Sequence, residues 1–195
     1  MKLEKKYLIV IGLVVIFLAV SLFYYFWGNG LAPDSKKLEM LRGENPNLSS
    51  YVDGLKKASE NFKEDNVQSY ATLGLAWKSL ADQTRSEDHY EEALTVYEKA
   101  VELTERKNTM FILNAGNMAS YIKDYELARN YYEEAISAAP GDIDGYQKLI
   151  ELNIYQLKSD KDLIVDIFDR GIKRMLNPAS LVQWKESYLK SLEDK

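Results

Sequence analysis

Cysteine and histidine, two of the side chains that most often perform catalysis or bind metals, are scarce in this sequence. It has no cysteine, and His89 is its one histidine. A thiolate site is therefore excluded, a metal site with several histidines is impossible, and a histidine-based triad would have to use this residue. His89 follows Asp88 at the start of a segment with helical spacing. That position favours a surface residue near a helix start over a general base, which would need a nucleophile and a pocket.

Paired acidic residues are the other pattern that could do chemistry. Glu91-Glu92 and Glu133-Glu134 recur at equivalent positions of two similar segments. A solvent-exposed helix face explains this recurrence better than a pair of catalytic acids does. We therefore expect no enzymatic activity, no cofactor, no metal site and no small-molecule substrate.

The charge of the chain argues against nucleic acid as a partner. Its formal net charge is −5. Without Lys2, Lys5, Lys6 and Glu4, the remaining 22 basic and 29 acidic residues give −7 for the part that follows the first apolar segment. An acidic domain does not attract nucleic acid or an anionic lipid surface.

That first apolar segment, residues 7–27, contains no charged residue. As a helix its 21 residues would span roughly 30 Å, the thickness of the hydrocarbon core of a bilayer. Fourteen of them are Leu, Ile, Val or Phe, and Tyr24, Tyr25 and Trp27 lie at the end where aromatic rings meet the lipid–water boundary. The segment predicts one transmembrane helix that contacts the lipid bilayer.

Basic residues on both sides of this segment bear on its orientation. Three lysines lie in the tail of residues 1–6, whereas Lys36, Lys37 and Arg42 follow at a greater distance. The nearer cluster predicts a cytoplasmic N-terminus and an extracytoplasmic domain, as in a bacterial inner membrane protein. The alternative is a cleaved signal peptide with a site near Ala19-Val20-Ser21, although six apolar residues would then begin the mature chain.

The remaining residues divide into a linker and a helical domain. Residues 28–47 predict a linker with one short helix, capped by Asp34 or Ser35 and closed by Gly43. Residues 48–195 predict the domain. Within it two segments align at a constant offset of 35 residues, which indicates a repeat array. The matched pairs are Tyr90 with Tyr125, Ala93 with Ala128, Tyr97 with Tyr132, and Ala100 with Ala135.

These segments resemble the tetratricopeptide repeat (TPR) family. The pattern is carried by Tyr70, Leu73-Gly74, Trp77, Ala93 and Tyr97 in a first unit, by Ala115-Gly116, Ala128, Tyr132, Ala135 and Pro140 in a second, and more weakly by Tyr146, Leu149, Phe168 and Gly171 in a third. The resemblance implies an all-α solenoid of helical hairpins after the transmembrane helix. Its repeats would lie at about 66–107, 109–142 and 143–177, with a capping helix at 178–192.

The sequence departs from the family pattern at three points. Residues 81–87 are an insertion that we expect to form a long loop projecting from one edge, with a second site of partner contact as the alternative. Ile164 stands where the third unit would have its small alanine, and Glu105 stands where the first unit would have its proline. Elsewhere, Gly74 and Gly116 supply small positions at which two helices can approach closely. The bulk that fills the space between units would come from Tyr70, Trp77, Tyr97 and Tyr132.

The resemblance also implies a binding surface on the first helix of each unit. The concave positions would be Gln68, Ala71, Thr72, Leu75, Lys78, Ser79, Met110, Leu113, Asn114, Asn117, Ser120, Tyr121, Asp144, Gln147, Lys148, Glu151, Ile154 and Tyr155. From these we select as partner-binding residues Asn114, Asn117, Tyr121, Thr72, Lys78, Gln147, Glu151 and Tyr155. Asparagine side chains both donate to and accept from the backbone of an extended peptide. With Lys78 and Lys148 as the only basic members, a clamp for an acidic C-terminus is not expected.

The function implied is a membrane-anchored scaffold that holds a protein or peptide partner in its groove. Analogy with other single-anchor TPR proteins suggests an envelope, secretion or pilus-type assembly on the extracytoplasmic face. The alternative is a cytosol-facing receptor that recruits chaperones or precursor proteins to a membrane.

Overall fold

The structure, a computed structural model, describes residues 30–193. These residues form helices and turns without any strand, so the predicted all-α class is confirmed. The predicted transmembrane helix at 7–27 lies outside the described residues. Within residues 30–193, every helix is too short or too polar to span a bilayer.

Nine α-helices succeed one another in the described part of the chain. They are α1 (Ser35–Glu44), α2 (Ser49–Glu60), α3 (Val67–Thr84), α4 (Glu87–Leu103), α5 (Thr109–Tyr121), α6 (Tyr125–Ala138), α7 (Ile143–Glu151), α8 (Lys161–Arg174) and α9 (Ala179–Glu193). A 3-10 turn, Pro46–Leu48, precedes α2, and a π-helical turn, Leu152–Gln156, continues α7. The helices pack mainly on their neighbours in sequence, so that α3–α4, α5–α6 and α7–α8 form three stacked hairpins.

Local sequence fixes where these helices begin. Five of them start at an Asn or Asp whose side chain accepts a backbone N–H of the first turn, which stabilises each start by about 1 kcal/mol. These caps are Asp34 for α1, Asn66 for α3, Asn108 for α5, Asp124 for α6 and Asp142 for α7. Asp34 is one of the two caps expected for the short helix; that helix continues past Gly43 to Glu44.

The segment expected to be a linker is packed against the domain. Leu38 and Leu41 of α1 are buried in the same apolar cluster as the first hairpin, and Leu31 and Ala32 pack against that cluster. Lys37 forms an ion pair with Glu92 of α4. Residues 31–44 are therefore attached to the helical domain through apolar contacts as well as through charge.

Two apolar clusters run through the stack and meet at its middle. The first extends from α1 to α6, and the second from α5 to α9. Leu113 and Leu127 pack against both clusters, so the interior is continuous from hairpin to hairpin. No hairpin encloses its own core, which is the usual condition of a repeat solenoid.

The predicted close approaches within the hairpins are present. A Cβ atom added to Gly74 would lie 2.7 Å from the ring of Tyr97, and one added to Gly116 would lie 2.6 Å from the ring of Tyr132. Gly145 makes a contact that the sequence analysis missed, because its added Cβ would lie 2.8 Å from Ile136 of the preceding hairpin. Glycine thus sets the spacing inside hairpins and also between them.

The expectation of a projecting loop at residues 81–87 is wrong. Residues 81–84 continue α3, and only Arg85 and Ser86 separate it from α4. The helix continues because Ala81 is fully buried against the core, while the hydroxyl of Thr84 donates to the carbonyl of Leu80. The insertion therefore makes the first hairpin longer than the second instead of adding an irregular loop.

Candidate functional site

An open cleft lies where α5, α6 and the end of α7 meet. Its volume is about 220 Å³. The lining residues are Asn117, Ser120 and Tyr121 from α5, Tyr132 from α6, Lys148 and Glu151 from α7, and Leu152, Tyr155 and Gln156 from the π-helical turn. The cleft therefore separates the first helices of the second and third hairpins, with a residue of α6 between them.

Tyr132 joins the cleft to the core. Its side chain is almost fully buried, and its hydroxyl donates to Oδ1 of Asn117 over 3.0 Å. Burial is the main cause that raises the pKa of Tyr132 above its ordinary value. Because the Asn117 carbonyl is occupied in this way, its amide NH₂ remains the group that can donate to a bound peptide.

The α7 wall carries a local set of polar contacts. Glu151 accepts from the amide of Gln147 over 2.9 Å and from the ammonium of Lys148 over 2.8 Å. Both members of the ion pair are about one-third exposed, so the pair adds little stability. Its effect on the cleft is electrostatic, since the one basic and the one acidic lining residue neutralise each other.

On the side facing the first hairpin, Tyr121 forms the end of the cleft. Its ring is 47 % exposed and lies 4.7 Å from the ring of Tyr90, measured between centroids. The hydroxyl of Tyr90 donates to Asp82, which also pairs with Lys78 over 2.6 Å. Burial, followed by the bond to Asp82, raises the pKa of Tyr90 to about 12. Three helices therefore hold the Tyr121 ring in place.

The opposite end of the cleft is formed by the π-helical turn. Tyr155 lies in this turn and is 64 % exposed, more than any other tyrosine of residues 30–193. Next to it, Gln156 accepts a hydrogen bond from the hydroxyl of Tyr125 over 3.1 Å. A π turn widens the helix by one residue per turn, and such turns are frequent at functional sites.

The structure brings together most of the residues selected from the sequence. Asn117, Tyr121, Glu151 and Tyr155 line the cleft. Gln147 bonds to Glu151 at its edge. Lys78 lies beyond the Tyr121 end, with its ammonium 5.7 Å from the centre of that ring.

Two selected residues lie outside the cleft. Thr72 is exposed on α3, and its hydroxyl donates to the carbonyl of Gln68 in the same helix. Asn114 is half-buried one turn before Asn117 and does not line the cleft. The part of α5 that lines the cleft therefore begins at Asn117.

The cleft lining includes three residues that the sequence pattern did not predict, namely Tyr132, Leu152 and Gln156. The repeat spacing predicts that Tyr132 belongs to the core, which is correct for its ring. The spacing does not predict that its hydroxyl donates to Asn117 at the cleft. Gln156 follows Tyr155, the last concave position that the repeat pattern assigns to the third unit, and the pattern gives no reason to select it. No sequence signal identifies the π turn, whereas the Tyr–Asn contact could have been suggested by the pairing of Tyr132 with α5.

The second of the two recurring acidic pairs, Glu133-Glu134, has a structural role beyond solvation. Glu133 accepts two hydrogen bonds from the guanidinium of Arg170, which connects α6 to α8. Glu134 pairs with Arg106 in the turn that follows α4. These carboxylates connect neighbouring hairpins, a role that the expectation of a merely solvated face did not include.

His89 lies between helices and not in the cleft. Its ring centroid is 5.8 Å from that of the fully buried Trp77, and its Nδ1 lies 2.9 Å from the hydroxyl of Thr84. Across residues 30–193, acidic and histidine side chains form no group of three that could hold a metal ion.

Comparison with known proteins supports the repeat interpretation. The family model of the tetratricopeptide repeat matches residues 111–142, which cover most of α5 and all of α6. No curated protein matches the chain. The match falls on the hairpin that supplies Asn117, Tyr121 and Tyr132, and the described part of the chain is a helical TPR-like solenoid.

Proposed function

We propose that this protein is a membrane-anchored scaffold that holds an extended segment of another protein in the cleft between α5 and α7, and that it has no catalytic activity. Tetratricopeptide repeats generally bind protein or peptide partners, and the matching repeat forms one wall of this cleft. The observation that carries the proposal is the pair of exposed tyrosine rings, Tyr121 and Tyr155, at the two ends of one polar cleft.

The chemistry of the cleft suits a peptide backbone. Amide groups of Asn117 and Gln156 can donate to backbone carbonyls, while the tyrosine rings cover apolar side chains. Asn117 is held by Tyr132 and Tyr121 by Tyr90, so little side-chain freedom is lost on binding. The neutralised pair Lys148–Glu151 favours a guest without strong net charge at this point.

The membrane anchor and its orientation are part of this proposal. The uncharged residues 7–27 and the lysines that precede them support a cytoplasmic N-terminus and an extracytoplasmic domain, in an envelope, secretion or pilus-type assembly. Protease added to intact spheroplasts should then digest the domain. Protection of the domain in spheroplasts, with digestion in inverted vesicles, would overturn this orientation and favour a cytosol-facing receptor.

The cleft assignment is tested by crosslinking the full-length protein in native membranes and identifying the recovered proteins by mass spectrometry. Tyr121→Ala should lose a specific partner that the wild-type protein recovers. The matched control is Tyr51→Ala, which removes an exposed tyrosine from α2, remote from the cleft. If both variants have the melting temperature of the wild-type protein and recover equal amounts of the partner, the cleft assignment is wrong.

A further inference from the structure

A second pocket continues the cleft toward the last helix. Its volume is about 580 Å³, and it lies between the π-helical turn, α8 and α9. Its lining residues are Ile154, Tyr155, Lys158, Ser159, Ile164, Trp184, Ser187, Tyr188, Ser191 and Leu192. Aliphatic and aromatic side chains form most of this surface, in contrast to the amide and hydroxyl groups of the cleft.

The pocket is open because α7 does not continue as a regular helix. After Glu151 the chain makes the π turn and then reverses at Lys158, whose φ is 50°. The buried side chain of Asn153 fixes this bend, since it donates to the carbonyl of Leu149 over 2.7 Å and accepts from Ser159 over 2.7 Å. The separation between the end of α7 and α9 is therefore a property of the fold.

The pocket and the cleft share Tyr155, which lines both. The two cavities therefore meet at the Tyr155 side chain. Trp184 and Tyr188 are half-buried in the pocket. Their ring centroids lie 5.2 Å and 6.0 Å from that of the buried Phe168, against which both rings pack. Their remaining apolar surface is available to a guest.

The charge of the pocket also bears on which guest sequences it can bind. Among the described residues that line it, Lys158 is the single charged side chain. The Lys158 side chain is exposed, and most of the other lining side chains are aliphatic or aromatic. A carboxylate beside an apolar side chain would complement this arrangement.

We infer that the guest segment passes over Tyr155 and inserts one large apolar side chain, an aromatic residue or leucine, into the pocket, with a neighbouring carboxylate against Lys158. This inference rests on the proposed function, because it extends the path of the same guest. The last helix is then part of the binding surface and selects the sequence of the partner, in addition to covering the end of the solenoid.

The test uses a library of linear peptides displayed on phage and selected on the full-length protein in detergent micelles. Selected sequences are synthesised with a fluorophore, and their affinities are measured by anisotropy. We expect them to share one large apolar residue next to Asp or Glu. Ser187→Arg places a long side chain in the pocket from an exposed position and should lower the affinity at least about tenfold, equivalent to roughly 1.4 kcal/mol.

The control is Gln183→Arg, which adds the same charge one turn away on α9 at an exposed residue that does not line the pocket. It should change the affinity less than about twofold, a difference of roughly 0.4 kcal/mol. Lys158→Gln should weaken peptides that carry the carboxylate and leave unchanged those in which it is replaced by an amide.

Other outcomes distinguish this inference from the proposed function. If Tyr121→Ala lowers the affinity of the peptides and Ser187→Arg does not, the pocket is not a binding site and the cleft assignment stands. If neither variant lowers the affinity, or if the selection yields no peptide, both the pocket inference and the cleft assignment are wrong. If Ser187→Arg reduces the mass of a wild-type oligomer in sedimentation, a second copy occupies the pocket and the inference is wrong.

Discussion

Tyr97 and Tyr132 occupy equivalent positions in successive hairpins, and each ring lies over a glycine of the partner helix. The pattern of the sequence predicted both rings and both glycines, because sterically demanding contacts recur at the repeat spacing. It did not predict what the hydroxyl groups do. That depends on the neighbour across the hairpin, which is Asn117 for Tyr132.

The glycine contact predicts a specific loss of stability. In Gly116→Ala the new methyl would lie 2.6 Å from the Tyr132 ring, so the ring and α5 must move apart. We expect the free energy of unfolding to fall by about 1–3 kcal/mol, as for other overpacked sites. Urea unfolding followed by circular dichroism measures this change.

Gly54→Ala is the matched control for that substitution. An added Cβ at Gly54 meets nothing within 4 Å, and the residue lies in the interior of α2. Alanine should therefore raise the free energy of unfolding there by about 0.5–1 kcal/mol. The same direction of change in both variants would show that the Gly116 contact is not tight.

The burial of Tyr97 predicts an alkaline loss of stability. Burial raises its pKa from 10.0 to about 12. Below pH 10 the phenol keeps its proton in both states, so pH has no effect through this group. Above pH 10 the unfolded state loses the proton first, so the free energy of unfolding should fall between pH 10 and pH 12. Tyr97→Phe should reduce this fall, measured as the change with pH in the free energy of unfolding by urea.

At the scale of the helix, the turns explain one departure from the repeat pattern. Glu105 replaces the expected proline, and its φ is 51°. Proline is fixed near −65°, so it cannot adopt the left-handed conformation that ends the first hairpin. Sequence could predict that the pattern changes here, but the sign of φ depends on how α4 meets α5, which only the structure shows.

The same conformation predicts that glycine is a better residue at this turn. A side chain in the left-handed region costs roughly 1–2 kcal/mol, part of which is offset by the greater freedom of glycine in the unfolded chain. The exposed ion pair of Glu105 with Lys107 contributes little. Glu105→Gly should therefore raise the free energy of unfolding by about 0.5–1 kcal/mol in urea.

Glu102→Gly provides the comparison, because Glu102 is exposed in the last turn of α4 with a helical backbone. Glycine at this position should lower the free energy of unfolding by up to about 1 kcal/mol. A loss of stability in both variants would contradict the role assigned to the left-handed turn.

Local patterns identified the hairpins because Asn and Asp caps, glycines and recurring aromatic residues act within about 35 residues of one another. They failed at the insertion and at the end of α7. The extension of α3 depends on the burial of Ala81, and the π turn depends on hydrogen bonds of the buried Asn153 side chain with Leu149 and Ser159, which the spacing of apolar residues does not encode. The cleft was therefore predicted on α5 and α7, whereas the pocket beside α9 could not be predicted from spacing.

Over the whole molecule, stability is distributed along the stack. Among residues 30–193, the two apolar clusters overlap at the second hairpin, where Leu113 and Leu127 pack against both. Neighbouring repeats in such arrays stabilise one another through their shared interfaces. A destabilising substitution at one end of the stack should therefore lower the stability of the adjacent hairpin more than that of the far end.

Leu181→Ala tests this distribution at the closing end. Leu181 is fully buried, and its side chain meets Gly171 of α8 at the position where a Cβ would be. Removing it should cost about 2–5 kcal/mol at that site. Native-state hydrogen exchange should then show less protection of the amides of α8 and α9, with smaller changes in α2 and α3. Leu55→Ala, which removes an equally buried leucine from α2, should give the reverse pattern. Equal loss of protection along the chain in both variants would mean that the stack unfolds as one unit, and that the surface beside α9 cannot loosen or tighten independently of the first hairpin.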